Sequence, residues 1–145
     1  TSKVLFRLPP RTVIFEAIKA SKSLEEVGIK AEVIDPVTLT PIDIETIVES
    51  VNKTRNLLVV DNGWICAGAA SEIVAQVIES SKIKSRINIK RLGFAHTPCP
   101  TTKVLENHFY PNPESIAKEA YKMTTGNDTW IPTIGESREI LELSS

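Results

Sequence analysis

Four consecutive apolar residues, Leu57-Leu58-Val59-Val60, constrain the fold more than any other part of this chain. Successive side chains of a strand point to opposite faces of its sheet. A run without polar alternation therefore needs apolar cover on both faces. Such a strand lies at the centre of a layered α/β domain, and Asp61-Asn62-Gly63 reads as the turn that closes it.

The flanking segments supply the cover. Lys3 to Leu8, centred on Val4-Leu5-Phe6 and stopped by Pro9-Pro10, reads as a first strand. A helix follows from a Thr12 N-cap, with Val13, Ala17, Ser21 and Leu24 inside, and Gly28 suits a left-handed residue past its end. Ile29 to Ile34 alternates as a second strand and Asp35-Pro36 stops it. Thr40-Pro41 then opens a helix from about Ile42 to Lys53 that buries Ile44, Ile47, Val48 and Val51. Arg55-Asn56 is the turn into the central run.

Beyond Gly63 a small-residue loop carrying Trp64 enters a helix at about Ala69, with Ile73, Val74, Val77 and Ile78 at helical spacing. Residues 86 to 92 mix Ile87, Ile89 and Leu92 with lysine and arginine. They read as a fourth strand near an edge, its basic side chains facing solvent. Gly93 to Pro100 is a proline-punctuated loop. Thr101 or Thr102 caps a short helix through Val104, Leu105 and His108, and Asn112-Pro113 opens another with Ile116, Ala120 and Met123 inward. After Gly126 the pattern lapses except for a helical-looking piece, Glu136 to Leu143. One domain is thus expected over 1–126 with a tail over 127–145.

Seventeen Lys and Arg balance eighteen Asp and Glu, and no basic block is interleaved with aromatics, so nucleic acid and membrane surfaces are not expected partners. No apolar run has the length of a membrane span and TSKVLFRLPP lacks a signal core, which reads as a cytoplasmic protein. The start at Thr1, straight into a strand, reads as a piece of a longer chain. Cys66 and Cys99 are distant, without a CxxC, and only two histidines are present. Partly buried free thiols are expected rather than a zinc site or disulfide. GxGxxG, GxxxxGK, GxSxG and HExxH are all absent.

Asp61, at the end of a central strand, has the position of a receiver-domain phosphoacceptor and so admits a free-standing flavodoxin-like regulatory module. The first strand, ending Arg7-Leu8-Pro9-Pro10, offers no carboxylate to hold magnesium beside it, which favours a turn aspartate. His96 lies in a loop past a strand end, where open α/β sheets bind ligands. Trp64, Phe94, Phe109 and Tyr110 fall in loops or loop edges on the same side, as core lids or subunit contacts. These four and His96 are the interface candidates; no catalytic, cofactor-binding or metal-binding residue is assigned.

The run AEVIDPVTLTPIDIETIVESVNKTRNLLVVDNGW, Ala31 to Trp64, resembles the C-terminal domain of the beta subunit of thiamine-diphosphate-dependent 2-oxo acid dehydrogenases, a transketolase-like C-terminal domain. Gly68 to Ile73 resembles the entry to that family's next helix, and TPCPTTKVLENHFYP, Thr97 to Pro111, its proline loop and LE-containing helix. The resemblance covers about residues 12 to 125. Transketolase and 1-deoxyxylulose-5-phosphate synthase end in similar domains, and the run from SVNKT to DNGW favours the dehydrogenase.

The resemblance implies a three-layer αβα fold with a mixed, mostly parallel sheet of about five strands, one antiparallel at an edge. It implies a pyruvate-like dehydrogenase whose thiamine diphosphate and magnesium are held elsewhere in the full enzyme, none being bound by this domain. The implied partners are the preceding domain of its own chain, a second beta subunit, an alpha subunit or domain and, in multienzyme complexes, an acyltransferase core. The sequence departs from the family where Val37 replaces an arginine and His96 replaces an acid beside the proline loop.

Overall fold

In chain order the computed structural model forms β1 (Ser2–Arg7), α1 (Thr12–Glu26), β2 (Lys30–Ile34), α2 (Ile44–Thr54), β3 (Asn56–Trp64), α3 (Ala69–Glu79), β4 (Asn88–Phe94), α4 (Lys103–Phe109) and α5 (Pro113–Thr125). It describes residues 2–7, 12–36, 40–99 and 101–135, without the side chains of 2–7, 12, 103, 107 and 108. Pro9-Pro10, Val37, Pro100, the His108 side chain and the helical reading of 136–143 lie outside the described residues.

The sheet order is β2-β1-β3-β4, and every pairing is parallel. The central apolar run has the predicted two-sided cover. Leu57 and Val59 enter a core with Ile47, Val48 and Val51 of α2 and Ala70, Ile73 and Val77 of α3. Leu58 and Val60 enter the opposite core with Val13, Ala20 and Leu24 of α1 and Ile116, Ala117 and Ala120 of α5. The two helical layers are therefore separated by a sheet whose central strand belongs to both cores.

The expected α/β fold of three layers is present, but the fifth, antiparallel edge strand is not found among the described residues. From β1 to β4 each strand is followed by a helix that carries the chain back to the sheet's starting end, so the next strand runs the same way. Residues 127–135 cross α5 without strand pairing, and Trp130 stacks on Tyr121 at a centroid distance of 4.7 Å.

Local chemistry sets the helix ends. Gly28, at φ 79°, ends α1, its N–H bonded to Glu25 O and that of Ile29 to Leu24 O. In α2 the N-cap is Asp43 rather than Thr40-Pro41: its carboxylate accepts from the Thr46 N–H at 3.2 Å and the Thr46 hydroxyl at 2.7 Å. Those bonds hold the Asp43 carboxyl below its ordinary 3.8, the hydroxyl contributing most. Asn112 and Ser115 form a reciprocal capping box on α5, with Pro113 in its first turn and Gly126 left-handed at its end. Thr102 occupies the N-cap position of α4 without a side-chain cap bond.

Candidate functional site

The carboxyl end of β3 does not turn at Asp61-Asn62-Gly63. The strand continues through a bulge to Trp64. Val60 pairs with Leu92 and Trp64 with Phe94, so Asp61, Asn62 and Gly63 stand opposite Gly93 alone. Strand β4 likewise runs on through Phe94, two residues past its expected end. The bulge holds because the two backbones touch. A Cβ on Gly93 would lie 2.5 Å from Gly63 O.

The connection from β3 to α3 is equally tight. A Cβ on Gly68, the N-cap of α3, would lie 2.1 Å from Trp64 O, which excludes the Ser, Thr or Asp that would cap a helix there. Asp61 supplies the cap from the strand. Its carboxylate accepts from the Ala70 and Asn62 N–H groups, and burial raises its pKa above 3.8 against the opposing effect of those bonds. Only 7% exposed and committed to the helix N-terminus, Asp61 is a structural carboxylate rather than a phosphoacceptor.

The extended strands bring all five interface candidates together. Trp64 meets Phe94 edge-on at 5.7 Å, Phe109 at 6.0 Å and His96 at 6.4 Å. Phe94 stacks on Phe109 at 4.8 Å, and Tyr110 meets both edge-on at about 5 Å. Phe109 is buried, whereas Trp64 is 47% exposed and His96 lies on the surface. Trp64 and Phe94 thus end strands, Phe109 and Tyr110 end α4, and His96 alone sits within a loop. The backbone closes the cluster where the Ala95 N–H donates to Phe109 O at 3.0 Å.

Two expectations fail at this end. Cys66 and Cys99 are exposed rather than partly buried, because each sits on a loop projecting past the sheet. Cys99 Sγ lies 3.6 Å from the Tyr110 hydroxyl, and that contact raises the Tyr110 pKa above 10.0. Arg91 does not extend into solvent with the other basic side chains of β4. Its Nη1 donates to Ile65 O at 2.9 Å and to Ser71 Oγ at 2.6 Å. The period-two signal marks it, since Arg91 shares a strand face with Ile87 and Ile89, both packed on the α2 and α3 core.

A cavity of about 580 Å³ opens beside the cluster, between β4 and the loop into α3; Trp64, Phe94, His96, Arg91 and Cys66 are among its walls. A second, of about 570 Å³, lies on the other face of β4 against Val104, Phe109, Tyr110 and α5. On α4, Val104 is 75% and Leu105 55% exposed. Among the described residues no helix is long and apolar enough to cross a membrane, and no group of three or more His, Cys, Asp or Glu is placed to hold a metal.

The family model described as "Transketolase, C-terminal domain" matches residues 12–116. The mitochondrial pyruvate dehydrogenase E1 component subunit beta of Caenorhabditis elegans is 39% identical over 107 residues, 73% of this chain and 30% of that protein. The acetoin:2,6-dichlorophenolindophenol oxidoreductase subunit beta of Cupriavidus necator is 34% identical over 114 residues, 79% of this chain and 34% of that protein. The chain thus spans about a third of the length of these relatives. Among solved structures, "Split gene transketolase, inactive beta4 tetramer" superposes with a TM-score of 0.65 at 22% identity, covering 86% of this chain and 39% of that one. That likeness is one of fold.

Proposed function

The chain belongs to the transketolase C-terminal domain family, and on that premise we propose that it is the C-terminal domain of a beta subunit of a thiamine-diphosphate-dependent 2-oxo acid dehydrogenase of the pyruvate type. Its work is subunit association, and catalysis belongs to the assembled enzyme. The observation that carries this reading is the exposed aromatic face, in which Trp64 caps a stack of Phe94, Phe109 and Tyr110. A half-exposed tryptophan over the buried Phe109 and the partly buried Phe94, with Val104 and Leu105 of α4 exposed, has the chemistry of an interface anchor. The partners in this reading are the preceding domain of the same chain, a second beta subunit and an alpha subunit, with an acyltransferase core in a multienzyme complex.

Thiamine diphosphate and magnesium belong to the rest of the assembly. The cytoplasmic location expected from the sequence is part of the same proposal; the C. elegans relative is named mitochondrial.

The test is to produce the full-length chain carrying this domain together with its alpha subunit and to measure assembly by sedimentation. Trp64→Ala and Leu105→Asp should each weaken association at least about tenfold with the far-ultraviolet spectrum unchanged. Assembly of both variants at the wild-type concentration would remove the proposal. The acetoin oxidoreductase relatives support a second substrate reading, and assaying the assembled enzyme with pyruvate and with acetoin separates the two.

A further inference from the structure

The cavity beside Trp64 contains a charge that the described protein does not neutralise. Arg91 is held through Nη1, which donates to Ile65 O and Ser71 Oγ, while Ser71 Oγ itself donates to Ile65 O at 3.0 Å. Those acceptors are neutral. Among the described residues no carboxylate pairs with Arg91, its Nε and Nη2 groups have no partner, and no acidic side chain lines the cavity. A partly buried guanidinium whose remaining donors open onto a cavity can take an anion, and its planar fork matches a carboxylate.

The rest of the cavity selects what that carboxylate is attached to. Trp64, Phe94 and Ile65 present apolar surface, and about 580 Å³ is in the range of small-molecule sites. The two bonds that fix Nη1 also fix the guanidinium plane before any ligand arrives, so little side-chain freedom is lost on binding.

We propose that this cavity is a binding site for an organic carboxylate with an apolar or aromatic body, the carboxylate on Arg91 and the body against Trp64 and Phe94. The carboxylate comes either from a free small molecule or from an acidic group of a partner subunit covering the face. Only the second source rests on the subunit-association reading.

The probe is 4-fluorobenzoate, followed by ¹⁹F NMR on the full-length chain alone and on the assembled enzyme, with 4-fluorobenzamide as the neutral comparator. On the chain alone, saturable binding at least about tenfold tighter for the acid than for the amide is expected, weakened about tenfold or more by Arg91→Gln and less by Arg91→Lys. Binding retained in the assembly identifies a free ligand as the source; binding lost on assembly identifies a carboxylate of the partner. Equal affinity for acid and amide, or no saturation of the chain alone by about 10 mM, overturns the proposal. The acid-to-amide comparison needs no mutation, so a misfolded Arg91→Gln leaves it decisive. A chain that fails to assemble still reports on the site.

Discussion

The Asp61 carboxylate accepts a hydrogen bond from the Ala70 N–H and so caps a helix that begins eight residues after the strand position holding the acid. This arrangement couples strand, bulge and helix. The residue at the cap position itself must be glycine, and the side chain that does its work comes from the neighbouring strand.

Asp61→Ala should lower stability by about 1–3 kcal/mol in urea denaturation, since it leaves buried N–H groups unpaired at the start of α3. Asp61→Asn keeps an acceptor and should cost less.

The same carboxyl predicts a pH dependence. Its folded pKa is raised by burial, so the folded state holds the proton more tightly than the unfolded chain. Stability from this group is fully present below the ordinary 3.8 and is lost as pH rises through the folded value. Asp61→Asn should therefore gain on wild type as pH rises from 3.8 upward, checked by urea midpoints across that range. A difference independent of pH would contradict the desolvated carboxylate.

Asp43 predicts the opposite sign. Its folded pKa is lowered by the bonds from Thr46, so its contribution is present above 3.8 and is lost as pH falls through the lower folded value. Asp43→Ala should lower the melting temperature at neutral pH, with the deficit shrinking on acidification.

Gly93→Ala and Gly68→Ala should each destabilise by about 2 kcal/mol or more, because their new methyl groups would meet backbone oxygens at 2.5 and 2.1 Å. Gly135→Ala, where a Cβ meets nothing within 4 Å, is the control. Near-ultraviolet circular dichroism of Trp64 should change in the first two and not in the third.

Trp130→Ala should cost about 1–3 kcal/mol, since the indole stacks on Tyr121 and packs on the core shared by α1 and α5. A loss no greater than about 0.5 kcal/mol, the level of an ordinary surface change, would show that the stacking contributes little.

The layered architecture was legible in the sequence because it rests on local regularities. The run Leu57 to Val60 required cover on both faces, the spacing of Val13, Ala17 and Leu24 selected one face of α1, and Gly28, Gly126 and Asn112-Pro113 set helix ends by backbone chemistry. The aromatic residues and His96 were visible individually as a set at one end of the strands. The ordered motifs from Ala31 to Pro111 carried the family as well, and the family match over residues 12–116 contains them.

What only the tertiary structure decided lies where backbones from distant segments touch. Asp61-Asn62-Gly63 has turn composition, yet Gly63 is small because Asp61 folds over it and Gly93 because the Gly63 carbonyl faces it. Nothing within eight residues of Asp61 marks it as the cap of α3. Arg91 resembled a solvated strand cation until Ile65 and Ser71 came within reach of its guanidinium. Local patterns specify which face of an element is buried. The role of a polar group inside that buried region depends on which donors and acceptors the fold brings to it, and those come from elsewhere in the chain.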